Sequence, residues 1–385
     1  MSTIKPVTAR RVISPLSSET SQTDSAMSRI FTKFVKWSTA DYRATRSFSI
    51  LRILYGFGML LFLIPSYADR AYVWGFASTW VDPEVKRRGY APIFQEMFPK
   101  DNPFIFDASY WALILLVLLF LVGYKTRFVT PLLLLFWIGL QTNSMLVTNG
   151  GDTIYRITLS FLIFANLSKH FSVDAWLTAK REQRSEITKS HRFQLPVWLG
   201  AGLHNTVLIL CCFQIMLVYV NSGIYKLMGA EWIDGSAFYY SLVLDAFTVF
   251  PSLSEMAWQV TPFVLIATWL SIYCQLFFPV LLLSKYTRYP TLVILLGMHI
   301  GIGLMMGLWS FSLAMIALDM LFIRDKSWTS FIESSSRAVR KLLKLNDKAP
   351  KSDPKTQEKG SKIDAFDAAI FPVIVYAQNI DRVKL

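Results

Sequence analysis

The run from Trp258 to Leu283 contains no charged side chain, and shorter blocks from Trp111 to Val122 and from Phe128 to Gly139 share its apolar character. Blocks that are apolar all round, rather than along one stripe, cannot present a wet face, so their solvent is lipid. Composition agrees: 53% of the 385 residues are hydrophobic, with 29 Phe, 16 Tyr and 12 Trp against only 17% charge. That excludes a disordered protein and a typical soluble enzyme. The expected fold class is all-α, a polytopic helical membrane bundle.

Eight passes are legible: Phe48 to Ile64, Ala108 to Val122, Phe128 to Leu146, Thr153 to Leu167, Trp198 to Val220, Ala257 to Leu283, Tyr289 to Met305 and Ser310 to Ile323. The second, fourth and eighth reach only about 20 Å, short of about 30 Å of hydrocarbon, and need flanking residues or a thinned bilayer. Tyr289 to Ile323 as one helix would rise about 50 Å, so a break near Gly307-Leu308-Trp309-Ser310 is expected.

The net charge is +13. Basic residues flank apolar blocks instead of alternating with exposed aromatics on a polar domain, which argues for membrane topology and against nucleic acid. With both termini cytoplasmic, 31 of the 39 lysines and arginines lie on the inner side. Such an excess is the positive-inside signature. Residues 1–26 are polar, Ser/Thr-rich and expected to be disordered, with no cleavable signal peptide. Residues 27–46 read as a basic amphipathic interfacial helix, with Met27, Ile30, Phe31, Phe34 and Val35 beside Arg29, Lys33 and Lys36. The transmembrane domain then occupies 47–323, a second interfacial helix 324–345, and a cytoplasmic linker and tail 346–385.

Ionisable groups at membrane depth are costly and point to function. Lys226, in Tyr219-Val-Asn-Ser-Gly-Ile-Tyr-Lys226, sits just past the fifth pass in apolar and aromatic surroundings. Desolvated there, it could act as a neutral base; the alternative is a snorkelling lysine paired with Glu231 or Asp234. His299, inside the seventh pass, is either a contact for a polar head group or a satisfied core histidine. Asp152 in Asn149-Gly-Gly-Asp152 could cap the fourth pass and pair with Arg156 four residues on. His170 falls at the inner end of the fourth pass, about a membrane thickness from Lys226, so the two share a site only if a helix is broken. Arg52 is expected to snorkel with Arg46 towards the inner head groups. Outer-loop aromatics such as Trp74, Phe76, Trp80, Tyr90 and Phe94 read as an interfacial belt.

The three cysteines, Cys211, Cys212 and Cys274, lie in apolar segments without CxxC spacing, so neither a structural disulfide nor a metal site is expected. Gly301-Ile-Gly-Leu-Met-Met-Gly307 has the wrong spacing for a dinucleotide fingerprint and follows no strand. No phosphate loop, GxSxG elbow or HExxH is present in the sequence.

Five groups of residues carry a resemblance: Leu51-Arg-Ile-Leu-Tyr-Gly-Phe-Gly-Met-Leu60, Gly123-Tyr-Lys-Thr-Arg127, His170-Phe-Ser-Val-Asp174, Ser222-Gly-Ile-Tyr-Lys-Leu227 with Glu231-Trp-Ile-Asp-Gly235, and Gly297-Met-His299 with Phe311-Ser312. In this order, from about Ser47 to Ile323, the chain resembles the horizontally transferred transmembrane family, which is related to vitamin K-dependent gamma-carboxylase. The resemblance implies a membrane enzyme that uses Lys226 as base on a reduced quinone, vitamin K hydroquinone or menaquinol. Oxygen and carbon dioxide are implied as co-substrates, and His299 and His170 match histidines of the carboxylase. Asp152, Arg156, Tyr225 and Trp232 join them as candidate substrate or quinone contacts.

The carboxylase has a large lumenal portion after its membrane domain, whereas only about 60 residues follow the last pass here. That disfavours a large protein substrate and suits a small secreted peptide. Short bacterial members of the family include a membrane protein needed for maturation of a peptide toxin. By that resemblance the chain would lie in a bacterial inner membrane with a companion maturation protein. A non-enzymatic maturation or export component, or a transporter, is the alternative.

Overall fold

In the computed structural model, which describes residues 18–78, 92–144, 147–183, 196–325, 327–331 and 334–335, every regular element is helical among those residues. The elements that build the bundle are α1 (Ser18–Thr39), α2 (Thr45–Leu63), α3 (Pro103–Val122), α4 (Thr126–Thr142), α5 (Gly150–Leu162), α6 (Val173–Gln183), α7 (Val197–Lys226), α8 (Pro251–Gln259), α9 (Thr261–Leu276), α10 (Lys285–Met306) and α11 (Trp309–Asp319). Pairs α3/α4 and α4/α5 are sequential neighbours, as short connections require. The interior helix α2 packs between α3 and α11, and α7 lies against α1, α5, α9 and α11.

Among the described residues, four stretches are long and apolar enough to cross a membrane: Thr45–Tyr67, Pro103–Val122, Val197–Lys226 and Lys285–Met306. Helices α8 and α9 make a fifth only if counted together, because they meet at 92°. Of the eight expected passes, four or five are full-length spans among the described residues and others are shorter apolar helices. At about 1.5 Å per residue, α5 and α11 rise less than 20 Å and cannot cross alone. The sixth expected pass, Ala257 to Leu283, is not one rod: Pro262 and Pro279 each open a new helical segment, and Pro cannot donate into a preceding turn. The expected break between α10 and α11 is present, with Gly307 in the left-handed region at φ +69° as the cap of α10.

Helix α1 begins at Ser18, ahead of the boundary expected at residue 27; no Pro or Gly separates Ser18 from Met27. Met27, Phe31 and Phe34 are exposed on it beside Arg29, Lys33 and Lys36. The rest of the expected tail before Ser18, Trp80 and Tyr90 of the aromatic belt, most of the helix over 324–345 and all of 346–385 lie outside the described residues.

Arg52 corrects its expected role. It does not snorkel: its residue is 0% exposed, and its guanidinium donates to four backbone carbonyls. Nε reaches Leu167 O at 3.2 Å, one terminal nitrogen reaches Phe120 O at 2.8 Å and Leu121 O, and the other reaches Phe171 O at 2.5 Å. These carbonyls belong to the end of α3 and to the turn before α6. A helix end leaves its last carbonyls without intrahelical donors, and a five-donor fork can serve several at once. Snorkelling presumes a lipid-facing side chain, whereas Arg52 lies on the buried face of α2 and Phe57 and Leu61 on its exposed face.

Candidate functional site

Helix α7 runs six residues beyond the expected end of the fifth pass, so Lys226 is its last helical residue instead of a loop residue. Positions 219, 223 and 226 repeat at helical spacing and share a face, with Tyr219 and Lys226 about 10 Å apart along the axis. Gly223, between them, is where α7 meets α9: a Cβ there would stand 2.9 Å from both N and Cα of Leu276. That close approach brings the polar side chains of α9 to the lysine. Lys226 Nζ donates to Gln275 Oε1 at 2.9 Å and to Ser271 Oγ at 3.2 Å, and lies 4.5 Å from the centre of the Trp232 ring. The half-buried amine is thus held by neutral groups and an aromatic face.

Neither Glu231 nor Asp234 forms an ion pair with Lys226 among the described residues. Asp234 instead accepts from the backbone N–H and hydroxyl of Ser236, at 2.8 and 2.6 Å. Those bonds hold this exposed carboxyl below its usual range.

Gln275 also donates to Met298 Sδ at 3.5 Å, next to His299, and Lys226 lies within electrostatic range of the imidazole. His299 is 1% exposed. Its Nε2 lies 3.0 Å from Tyr219 Oη, which donates to Asp319 Oδ2 at 2.8 Å. The Phe311 ring meets the imidazole edge-on at 5.8 Å. His299 Nδ1, Asp319 Oδ1 and Ser312 Oγ are buried without a hydrogen-bond partner among the described residues. Unpaired buried polar atoms are costly, and three of the nine such side-chain atoms among the described residues fall in this one neighbourhood of α10 and α11. Tyr219 and Asp319 were not singled out from sequence, although an aspartate within the last apolar pass was a readable signal.

The helices that bear this cluster fall within one sequence family. Residues 42–328 match the family model described as HTTM domain. The chain belongs to the HTTM domain family. Two relatives from Bacillus subtilis (strain 168) are similar to it. One is the sporulation-delaying protein SdpB, 24% identical over 72% of this chain and 80% of its own length. The other is the uncharacterized protein YitO, 25% identical over 58% of this chain and 69% of its own. No solved structure shows a significant match to the chain.

Within the HTTM domain the remaining candidates divide between two ends of the bundle. Asp152 forms a capping box at the start of α5: its Oδ2 accepts from Asn149 N at 2.8 Å, while Asn149 Oδ1 accepts from Gly151 N at 2.7 Å and Asp152 N at 3.3 Å. Arg156 is one turn on, close enough to feel the Asp152 charge. A Cβ on neighbouring Gly151 would lie 3.2 Å from Phe311, so this cap borders the His299 region. Trp232 touches Lys226, and Tyr225 is exposed beside it.

His170 does not join them. Its Nε2 is 3.1 Å from Thr45 Oγ1 and its N–H donates to Ser49 Oγ at 3.3 Å, so it belongs to the first turn of α2. His204, whose ring packs 4.6 Å from Phe48 on that same turn, precedes Lys226 on α7 by about 33 Å of helix rise. The unbroken α7 therefore puts His170 and Lys226 at opposite ends.

Proposed function

We propose that this chain is a membrane enzyme in which Lys226, in its neutral form, removes a proton from a reduced quinone to drive oxygen-dependent modification of a small secreted peptide. The observation that carries the reading is the environment of Lys226 Nζ: Gln275, Ser271 and the Trp232 ring surround it, and no carboxylate is among its hydrogen-bond partners in the described residues. Such partners hold an amine in place without fixing its charge, as an ion pair would.

The residues nearby suit a quinol head group. Aromatic Trp232 and Phe311 offer ring faces and edges, and the unpartnered Nδ1 of His299 and Oγ of Ser312 offer polar contacts. When bound, the quinol supplies two electrons for reduction of oxygen. Lys226 accepts the hydroxyl proton, Gln275 and Ser271 orient its amine, and His299 positions the head group. Vitamin K hydroquinone and menaquinol both fit this chemistry, and glutamate carboxylation with carbon dioxide is one form the peptide modification can take.

The relative named as a sporulation-delaying protein supports a second reading, in which the chain is a non-enzymatic membrane component of peptide-toxin maturation or export, working with a companion protein in a bacterial cytoplasmic membrane. Oxygen consumption by the protein in nanodiscs, supplied with each reduced quinone, separates the two. Uptake above a heat-killed control that disappears in Lys226→Ala is expected of the enzyme. No uptake by demonstrably folded protein favours the second reading.

A further inference from the structure

Tyr219 has one hydroxyl hydrogen and two hydrogen-bond neighbours, Asp319 Oδ2 at 2.8 Å and His299 Nε2 at 3.0 Å. If that hydrogen goes to the carboxylate, the contact with the imidazole survives only if Nε2 carries a proton of its own and donates it to the tyrosine oxygen. A neutral His299 is then the Nε2–H tautomer, and Nδ1 is a bare acceptor. It is this nitrogen that has no partner among the described residues, although the ring is almost wholly buried.

We propose that His299, Tyr219 and Asp319 form a buried proton relay whose open end is His299 Nδ1 and whose store is Asp319. Tyr219 and Asp319 are positioning residues that act through the imidazole. The proposal rests on the reading of His299 as a contact for the reacting head group. The proton count closes in a single sweep. A proton arrives at Nδ1, the Nε2 proton passes to the Tyr219 oxygen, and the tyrosine's own hydrogen passes to Asp319 Oδ2. Before the sweep the trio is a carboxylate, a phenol and an Nε2–H imidazole; afterwards it is a carboxylic acid, a phenol and an Nδ1–H imidazole. One proton has been taken up, no electron has moved, and the imidazole ends neutral.

Three features favour a relay over a packing cluster. The three groups come from three helices, α7, α10 and α11, and are mutually hydrogen-bonded without a second set of partners among the described residues. Both end atoms, Nδ1 of His299 and Oδ1 of Asp319, are left unpaired, whereas a structural network is stabilising only when its members are satisfied. The imidazole also meets the Phe311 ring of α11 at 5.8 Å, and its neighbour Met298 ties α10 to the Lys226 cluster through Gln275.

The test is the tautomer of His299, read from ¹⁵N chemical shifts of the histidine-labelled full chain in nanodiscs. The chain has 4 histidines, and a His299→Asn sample assigns the signal. The expected result is an Nε2–H ring with an unprotonated Nδ1. In Asp319→Asn the introduced amide can donate to the tyrosine oxygen, which turns the phenol hydrogen towards Nε2 and inverts the ring to mainly Nδ1–H. In Tyr219→Phe the Nε2 partner is lost and the Nε2–H excess falls to the modest intrinsic preference of a free imidazole. An Nδ1–H ring in the unaltered protein overturns the relay, as does a ring unchanged in Tyr219→Phe, which serves if Asp319→Asn does not fold. The signal needs no turnover, so its outcome is independent of whether quinol-dependent oxygen uptake is found.

Discussion

Replacing Arg52 by methionine isolates the contribution of the guanidinium clamp, because the donors that remain afterwards can be named. Phe120 O also accepts from Gly123 N at 3.1 Å, and Leu167 O from Ser49 Oγ at 3.4 Å. Those two carbonyls keep a partner. Leu121 O and Phe171 O have no other donor among the described residues. At roughly 1–3 kcal/mol for each buried acceptor left unpaired, the variant loses about 2–6 kcal/mol. Removing a buried charge returns part of that by relieving its desolvation, so the lower half of the range is expected. The assay is unfolding in mixed micelles by titration with a denaturing detergent, followed by tryptophan fluorescence. Arg52→Lys should fall between wild type and Arg52→Met, because a compact ammonium cannot fork to both α3 and the turn before α6. A Cβ on Gly123 would stand 2.8 Å from Arg52 Cζ at a backbone φ of +72°, so Gly123→Ala should destabilise and should not add independently to Arg52→Met. Stability of Arg52→Met within about 0.5 kcal/mol of wild type, the range of an ordinary surface change, would refute the clamp.

Asn149→Ala removes the acceptor of two α5 N–H groups and should cost about 1 kcal/mol in the same titration, leaving Lys226 chemistry intact. Gly223→Leu drives a side chain into the Leu276 backbone; it should separate α7 from α9 and abolish quinol-dependent uptake even where the protein still elutes as a folded species. Trp232→Leu should raise the KM for quinol more than it lowers kcat if the ring chiefly lines the site, and an unchanged KM would remove Trp232 from the set. Asp107→Asn breaks the ion pair with Arg70 at 2.8 Å, but this pair is partly exposed, so the loss should be about 0.2–1 kcal/mol and shrink in high salt.

The helical membrane class was legible because uncharged, continuously apolar runs of more than about 18 residues admit few other folds. The end of α10 was legible too, through Gly307. Span lengths were less so. Hydropathy sees the apolar content of Ala257 to Leu283 but not that proline-initiated turns break it at 92°. Arg52 was misread for a related reason: periodicity placed it on a helix but could not tell a lipid-facing side chain from one enclosed by α3 and α11.

The residues that carry the family resemblance sort themselves by place. Arg52, Gly123, Phe171 and Asp174 come from three separated motifs, yet they meet at one end: Arg52 holds Phe171 O, and Asp174 accepts from Lys125 N at 3.1 Å while its own N–H donates to Gly123 O at 3.2 Å. Lys226, Trp232 and His299 come from the other motifs and collect at the far end of α7. A single helix thus joins a clamp that satisfies carbonyls to a cluster that leaves polar atoms unpaired. The first has its hydrogen bonds filled by the protein, which is what a structural device requires, and His170 belongs with it despite its chemistry. The second gathers three unpaired atoms, Nδ1, Oδ1 and Oγ, each costly to bury. Residue type marked both ends as candidates; the filled fork of Arg52 at one and the unpaired Nδ1 of His299 at the other distinguish them. Tyr219 escaped a reading based on sequence because its importance lies in whose proton it shares, and that depends on the crossing of α7, α10 and α11.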